Sequence, residues 1–241
     1  MATELIRFDS VVAGYGSLMV LNGLSFSARK GEVTLLIGPN GAGKSTVLKT
    51  LFGLLTPRQG EMQLDGQRVN GLPPDALLRR GVAFVPQGRN LFPSLTLHQN
   101  LELGGITLPR ADRRARLEEA LEQFPQLAAR LHSPAAALSG GEQKQLEIAR
   151  ALQLRPSVLL IDEPSIGLSP KINQTVFRLL RSLADTGVSV LMVEQNVRSA
   201  LQVSDRVLVL EGGRLVQDCP ATTLIALPNL NEIFLGRQLR E

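Results

Sequence analysis

Residues 38–46 read Gly38-Pro39-Asn40-Gly41-Ala42-Gly43-Lys44-Ser45-Thr46. An apolar run, Val33-Thr34-Leu35-Leu36-Ile37, precedes them, and Val47-Leu48-Lys49-Thr50-Leu51-Phe52 follows with helical character. Gly38, Gly43, Lys44 and Ser45 complete the spacing G-x-x-x-x-G-K-[ST] in a strand–loop–helix setting, the pattern of a phosphate-binding loop. Glycines let backbone N–H groups turn toward phosphate oxygens with no Cβ in the way. The helix that follows aims its free N–H groups and the positive end of its dipole at the same anion. Lys44 adds a point charge near the β/γ-phosphates, and the Ser45 hydroxyl can ligate Mg²⁺.

Outward from this loop, two further stretches carry chemistry. Val158-Leu159-Leu160-Ile161 runs into Asp162-Glu163 and then Pro164, which reads as a buried strand with two acids at its carboxyl end, where open α/β sheets bind ligands. Asp162 can hold Mg²⁺, and Glu163 can orient or deprotonate an attacking water. Leu138-Ser139-Gly140-Gly141-Glu142-Gln143 opens a helix running to about Leu154, with Ser139 as N-cap and Glu142 in capping-box position. Two glycines at a helix start cost stability, which predicts that backbone there comes close to something.

The rest of the chain frames these pieces. Residues 5–12, 20–28 and 61–65 alternate as short strands and predict a small antiparallel sheet. Tyr15, the single tyrosine, lies between Gly14 and Gly16; it can stack on an adenine or fill a half-buried turn. Val82–Gln87 and Val188–Val193 read as buried strands, the second ending in Glu194-Gln195-Asn196. No strand signal appears from about 96 to 155, where Leu117, Leu121, Phe124 and Leu127 have helical spacing broken at Pro125. Residues 206–216 read as a hairpin about Gly212-Gly213, and 221–241 as short helices around Pro228.

At 241 residues the chain can bury a full core without staples, and its one cysteine, Cys219, permits no internal disulfide. No run approaches a membrane span and the N-terminus lacks a signal-peptide pattern, which predicts a cytoplasmic protein. The net charge of +4 comes from scattered arginines, and aromatics are only 4%, so nucleic acid is not an expected partner.

Together the motifs resemble the ATP-binding cassette (ABC) ATPases over nearly the whole chain. GPNGAGKST (38–46) matches their Walker A, VLLIDE (158–163) their Walker B and LSGGEQ (138–143) their signature. Gln87 sits at the Q-loop position and Tyr15 at the adenine-stacking position. Within the family PQGRNLFPSLT (86–96), EPSIGLSP (163–170) and MVEQN (192–196) are most similar to the F-type ATPase subunits of branched-chain amino acid importers. Urea and short-amide importers and the lipopolysaccharide export ATPase are the wider relatives. The resemblance implies an α/β P-loop NTPase (RecA-like) fold with a parallel-sheet core, an N-terminal antiparallel β subdomain and an inserted α-helical subdomain. It divides a single ATPase domain into core (1–87 and 156–220), helical subdomain (88–155) and C-terminal tail (221–241).

It further implies ATP and Mg²⁺ as ligands. ATP would contact Tyr15 and residues 38–46, Mg²⁺ Ser45, Gln87 and Asp162, and the catalytic groups would be Glu163, Gln195 and Gln87. Ser139, Gly140, Gly141, Glu142 and Gln143 would act in trans from a second ABC ATPase subunit, a paralogue. Two membrane permeases and a periplasmic or extracellular binding protein would complete the complex at the cytoplasmic face of the membrane. Leu91 and Phe92, apolar in a loop, are candidates for permease docking or for local core. A soluble, non-transport ABC ATPase is the other class to weigh.

Two positions depart from the family. Gln195 stands where most cassettes carry a histidine; its amide can donate a hydrogen bond to phosphate but carries no proton. The importer pattern shares this glutamine, so it does not imply inactivity. Ser169 replaces the usual D-loop aspartate.

Overall fold

The computed structural model describes residues 3–226. Two long strands open it, β1 (Glu4–Tyr15) and β2 (Leu18–Arg29), paired antiparallel through a tight turn. Next come β3 (Val33–Ile37), the phosphate loop and α1 (Lys44–Leu51), then β4 (Gln59–Leu64), β5 (Gln67–Arg68), α2 (Pro74–Arg79) and β6 (Val82–Val85). A helical stretch follows: α3 (Leu97–Gly104), α4 (Arg110–Gln123), α5 (Pro125–Ala128) and α6 (Gly140–Leu152). The chain returns through β7 (Val158–Asp162), α7 (Pro170–Asp185), β8 (Ser189–Val193), α8 (Val197–Leu201), β9 (Arg206–Glu211), β10 (Arg214–Pro220) and α9 (Ala221–Ile225).

The strands form two sheets. One is the antiparallel β2-β1-β4-β5; the other has the order β10-β9-β3-β8-β7-β6 and is parallel except at β10. The central parallel strands are apolar at nearly every position because both faces are covered. On β3 the faces separate by period two: Val33, Leu35 and Ile37 pack toward Leu146 and Phe177 of the helices, while Leu36 packs toward Leu48 of α1 and Phe8 of the antiparallel sheet. β7 divides likewise, Leu159 and Ile161 against Val158 and Leu160.

Two details differ from the sequence expectation. Tyr15 is the last residue of β1 and is exposed, rather than filling a half-buried turn. The third antiparallel strand begins at Gln59 and is joined by the two-residue β5. In the helical stretch, α4 starts at Arg110, where Pro109 fits the position before the first turn. Of the expected tail helices, α9 is present; the segment around Pro228 lies outside the described residues.

Candidate active site

Parallel order places the ends of β3, β7 and β8 side by side, so the phosphate loop, Asp162-Glu163 and Glu194-Gln195 meet at the carboxyl edge of the sheet. The loop is braced from the β9–β10 turn: the Gly213 N–H donates to the Ala42 carbonyl at 3.1 Å. Gly38 shows why no side chain is tolerated at the loop start. Its φ is +152° and an added Cβ would fall 2.1 Å from the Leu210 carbonyl oxygen. Pro39, Asn40 and Gly41 are exposed, Ala42, Gly43 and Thr46 are buried, and Ser45 is half-buried. Gly43, in the left-handed region, caps α1 and lets its first N–H groups face outward from the sheet edge.

Lys44 folds back over this loop, donating from Nζ to the carbonyls of Gly38 (2.8 Å) and Pro39 (3.0 Å). Burial lowers its pKa, and the Glu163 and Asp162 carboxylates pull it back up. Asp162 is nearly inaccessible and accepts a hydrogen bond from the Ser45 hydroxyl at 3.1 Å. Burial raises its pKa; the Ser45 hydroxyl opposes this, neighbouring Glu163 adds to it, and Lys49 and Lys44 lower it. A hydroxyl and a carboxylate this close form a hard oxygen donor set suited to Mg²⁺. Among the described residues no three His, Cys, Asp or Glu side chains cluster for a metal.

Glu163 stands apart in its backbone, with φ +47° in the left-handed region. Its two oxygens are taken by different glutamines: Gln87 Nε2 donates to Oε2 at 2.7 Å, and Gln195 Nε2 donates to Oε1. The three expected catalytic side chains, spread over more than a hundred residues of sequence, thus form one hydrogen-bonded cluster.

Tyr15 is exposed at the site's flank, with Lys49 Nζ 5.8 Å from its ring centroid, within cation–π range. Arg58 donates to the Gly16 carbonyl and fixes that turn. The Ser139–Gln143 segment is not in this cluster. Ser139 and Gly140 are exposed, and the capping box is formed, with Glu142 Oε2 accepting from the Ser139 N–H at 2.8 Å. Gln143 turns inward and donates to the carbonyls of Ala135 and Leu138. What approaches Gly141 is this chain's own Ile172: a Cβ at 141 would lie 2.5 Å from its Cγ2.

Sequence reasoning missed two contributors, Gly213 and Glu194. The Gly212-Gly213 pair reads locally as a hairpin turn, and nothing in it reveals that the turn braces the phosphate loop. Glu194 reads as a strand end, yet only 2% of it is exposed.

The sequence profile described as ABC transporter matches residues 21–166. The chain belongs to the ABC transporter family. This cassette is 41% identical to the high-affinity branched-chain amino acid transport ATP-binding protein BraG of Pseudomonas aeruginosa, over 96% of this chain and 100% of that one. It is 36% identical to the probable branched-chain amino acid transport ATP-binding protein LivF of Archaeoglobus fulgidus, over 96% and 99% of the two chains. A solved cassette of an ABC transporter in its ADP conformation superimposes with a TM-score of 0.86 at 26% identity, covering 97% of this chain and 99% of that chain. The cassette is therefore a nucleotide-binding ATPase of this family. Among its described residues no helix is long and apolar enough to cross a membrane.

Proposed function

We propose that this cassette powers uptake of branched-chain amino acids or related small polar solutes. It would hydrolyse ATP in a site shared with a second, paralogous cassette. The observation that carries the ATPase chemistry is Glu163, held between the Gln87 and Gln195 amides beside Lys44 and Asp162. Residues 38–46 hold the phosphates through backbone N–H groups, Lys44 neutralises charge on the transferred phosphoryl, and Tyr15 with Lys49 receives the adenine. Glu163 orients the water and takes its proton, and each oxygen keeps a lone pair free for that purpose. Gln195 positions through its amide and carries no proton. Ser45, Asp162 and the free side-chain oxygen of Gln87 would hold Mg²⁺, which supplies charge neutralisation at the β- and γ-phosphates when bound.

The second cassette presents Ser139 and Gly141 at the N-terminus of its α6, Ser139 exposed and Gly141 backed by Ile172, where a helix offers N–H groups and a positive dipole end to an anion. Support for the importer class is the 41% identity to BraG over the whole of that protein. For the permease, the structure separates two residues read together in the sequence. Leu91 packs on the core, whereas Phe92 is 52% exposed. Phe92 lines a groove of about 560 Å³ with Phe52, Phe84, Leu103 and Ile106, an apolar surface that supports docking of an amphipathic helix of a permease at the membrane's cytoplasmic face.

The test is uptake of labelled leucine by vesicles holding this cassette with the permeases, second cassette and binding protein proposed for the complex. ATP-dependent accumulation is expected. Robust ATP hydrolysis with urea or no solute transported in place of leucine would overturn the substrate class.

A further inference from the structure

A buried carboxylate that the mechanism above leaves unused lies at the end of β8. Glu194 is 2% exposed, and both of its oxygens are occupied by backbone donors. Oε1 accepts from the Ser165 N–H at 2.7 Å; Oε2 accepts from the N–H groups of Gln195 at 2.9 Å and Asn196 at 3.0 Å. Ser165 lies two residues beyond Glu163, on the turn that follows β7. Gln195 and Asn196 form the turn that follows β8. One side chain therefore fastens together the two loops whose own side chains meet in the Gln195–Glu163 hydrogen bond.

The backbone explains why such a fastening is needed. Glu163 sits at φ +47°, a conformation that L-residues keep only where surroundings over-determine it. Its N–H is fixed by the Val193 carbonyl at 2.9 Å, on the strand just before Glu194. The Ser165 N–H to Glu194 bond fixes the other side of the same turn. A carboxylate is suited to this place because it accepts on both oxygens, whereas an amide at the same position would set an NH₂ group against at least one of the N–H donors.

We propose that Glu194 is a positioning residue for hydrolysis: it sets the Glu163 carboxylate against the Gln195 amide without touching substrate. This rests on Glu163 being the base. The experiment compares steady-state ATP hydrolysis of this chain assembled with the second cassette, and the chain's own ATP affinity and thermal melting, with those of Glu194→Gln, Gln195→Ala, the double variant and Glu163→Gln. Glu194→Gln should lower kcat about 10–100-fold, the scale set by a misplacement of order 1 Å. Its KM for ATP should stay within about two-fold of wild type. The double variant should be no slower than the slower single variant, because both changes break the same pairing.

Unchanged turnover in Glu194→Gln beside a slow Glu163→Gln overturns the positioning role alone. Wild-type turnover in Glu163→Gln removes instead the base assignment beneath it. Independent, multiplying losses in the double variant, or a KM that rises in step with the fall in kcat, also overturn the proposal. Should Glu194→Gln fail to fold, Glu194→Asp, too short to reach both loops, is measured in the same way. Unfolding of both variants would assign the carboxylate to the fold alone.

Discussion

Glu163 combines a strained backbone with a side chain held on both oxygens, and strain of this kind costs on the order of 1–3 kcal/mol per residue. Glu163→Gln should keep ATP binding while hydrolysis slows by roughly 10²–10⁴-fold, as measured by phosphate release; wild-type turnover would remove Glu163 from the base role. Asp162 gives a prediction in pH. Its folded pKa is raised above the ordinary 3.8, so the folded chain holds this proton more tightly than the unfolded one. The contribution to stability is fully present below pH 3.8 and is lost as pH rises through the folded pKa, which makes the ionised carboxylate a cost at neutral pH. Asp162→Asn should therefore melt higher than wild type at pH 7.5 without nucleotide. The gain should be on the order of 1 kcal/mol, about 2–4 °C at this length, and should shrink as pH approaches 4. A scan showing the reverse trend would contradict the burial argument.

At the scale of elements, α6 answers to two constraints. Its capping box starts the helix at Ser139, and Gly141 lets it lie against Ile172 of α7. Its middle is tied to the segment that follows Gln87: Glu147 accepts from the Asn90 N–H at 2.8 Å and pairs with buried Lys144, while Arg150 donates to the Asn90 carbonyl at 2.6 Å. The helix that carries the signature and the loop that carries Gln87 thus share one polar network. Gly141→Ala forces a Cβ into Ile172 and should cost about 1–3 kcal/mol by denaturant unfolding. Adding Ile172→Ala should relieve the clash, leaving the double variant no less stable than Ile172→Ala alone. If Gly141 is glycine only for packing, that double variant will also hydrolyse ATP normally; continued loss of hydrolysis would show that a partner's phosphate needs the open backbone.

For the whole molecule, the proposed site is incomplete in one chain. The Glu163 cluster forms at the carboxyl edge of the sheet, and the exposed Ser139 and Gly140 lie outside it. ATP should therefore join two cassettes, and its hydrolysis should let them part. Light scattering of Glu163→Gln should report dimers with ATP and monomers with ADP, and a further Ser139→Arg change, which crowds the exposed helix start, should abolish the ATP-dependent dimer. A Glu163→Gln chain that stays monomeric at saturating ATP, both alone and mixed with its paralogue, would exclude this arrangement.

Local chemistry wrote the sequence-legible part of this protein. The spacing of Gly38, Gly43, Lys44 and Ser45, the apolar run ending in Asp162-Glu163 and the Ser139 capping box depend on residues a few positions apart, and each recurs in the structure as read. Tyr15 at a strand end, the split between core-packed Leu91 and exposed Phe92, and the contact that makes Gly141 a glycine did not follow from the sequence. Each depends on which distant segment lies opposite. The same holds for the two amides on Glu163 and for the Glu194 carboxylate. Parallel strand order brings the ends of β7 and β8 together, and only there can a buried acid find three backbone donors from two separate turns.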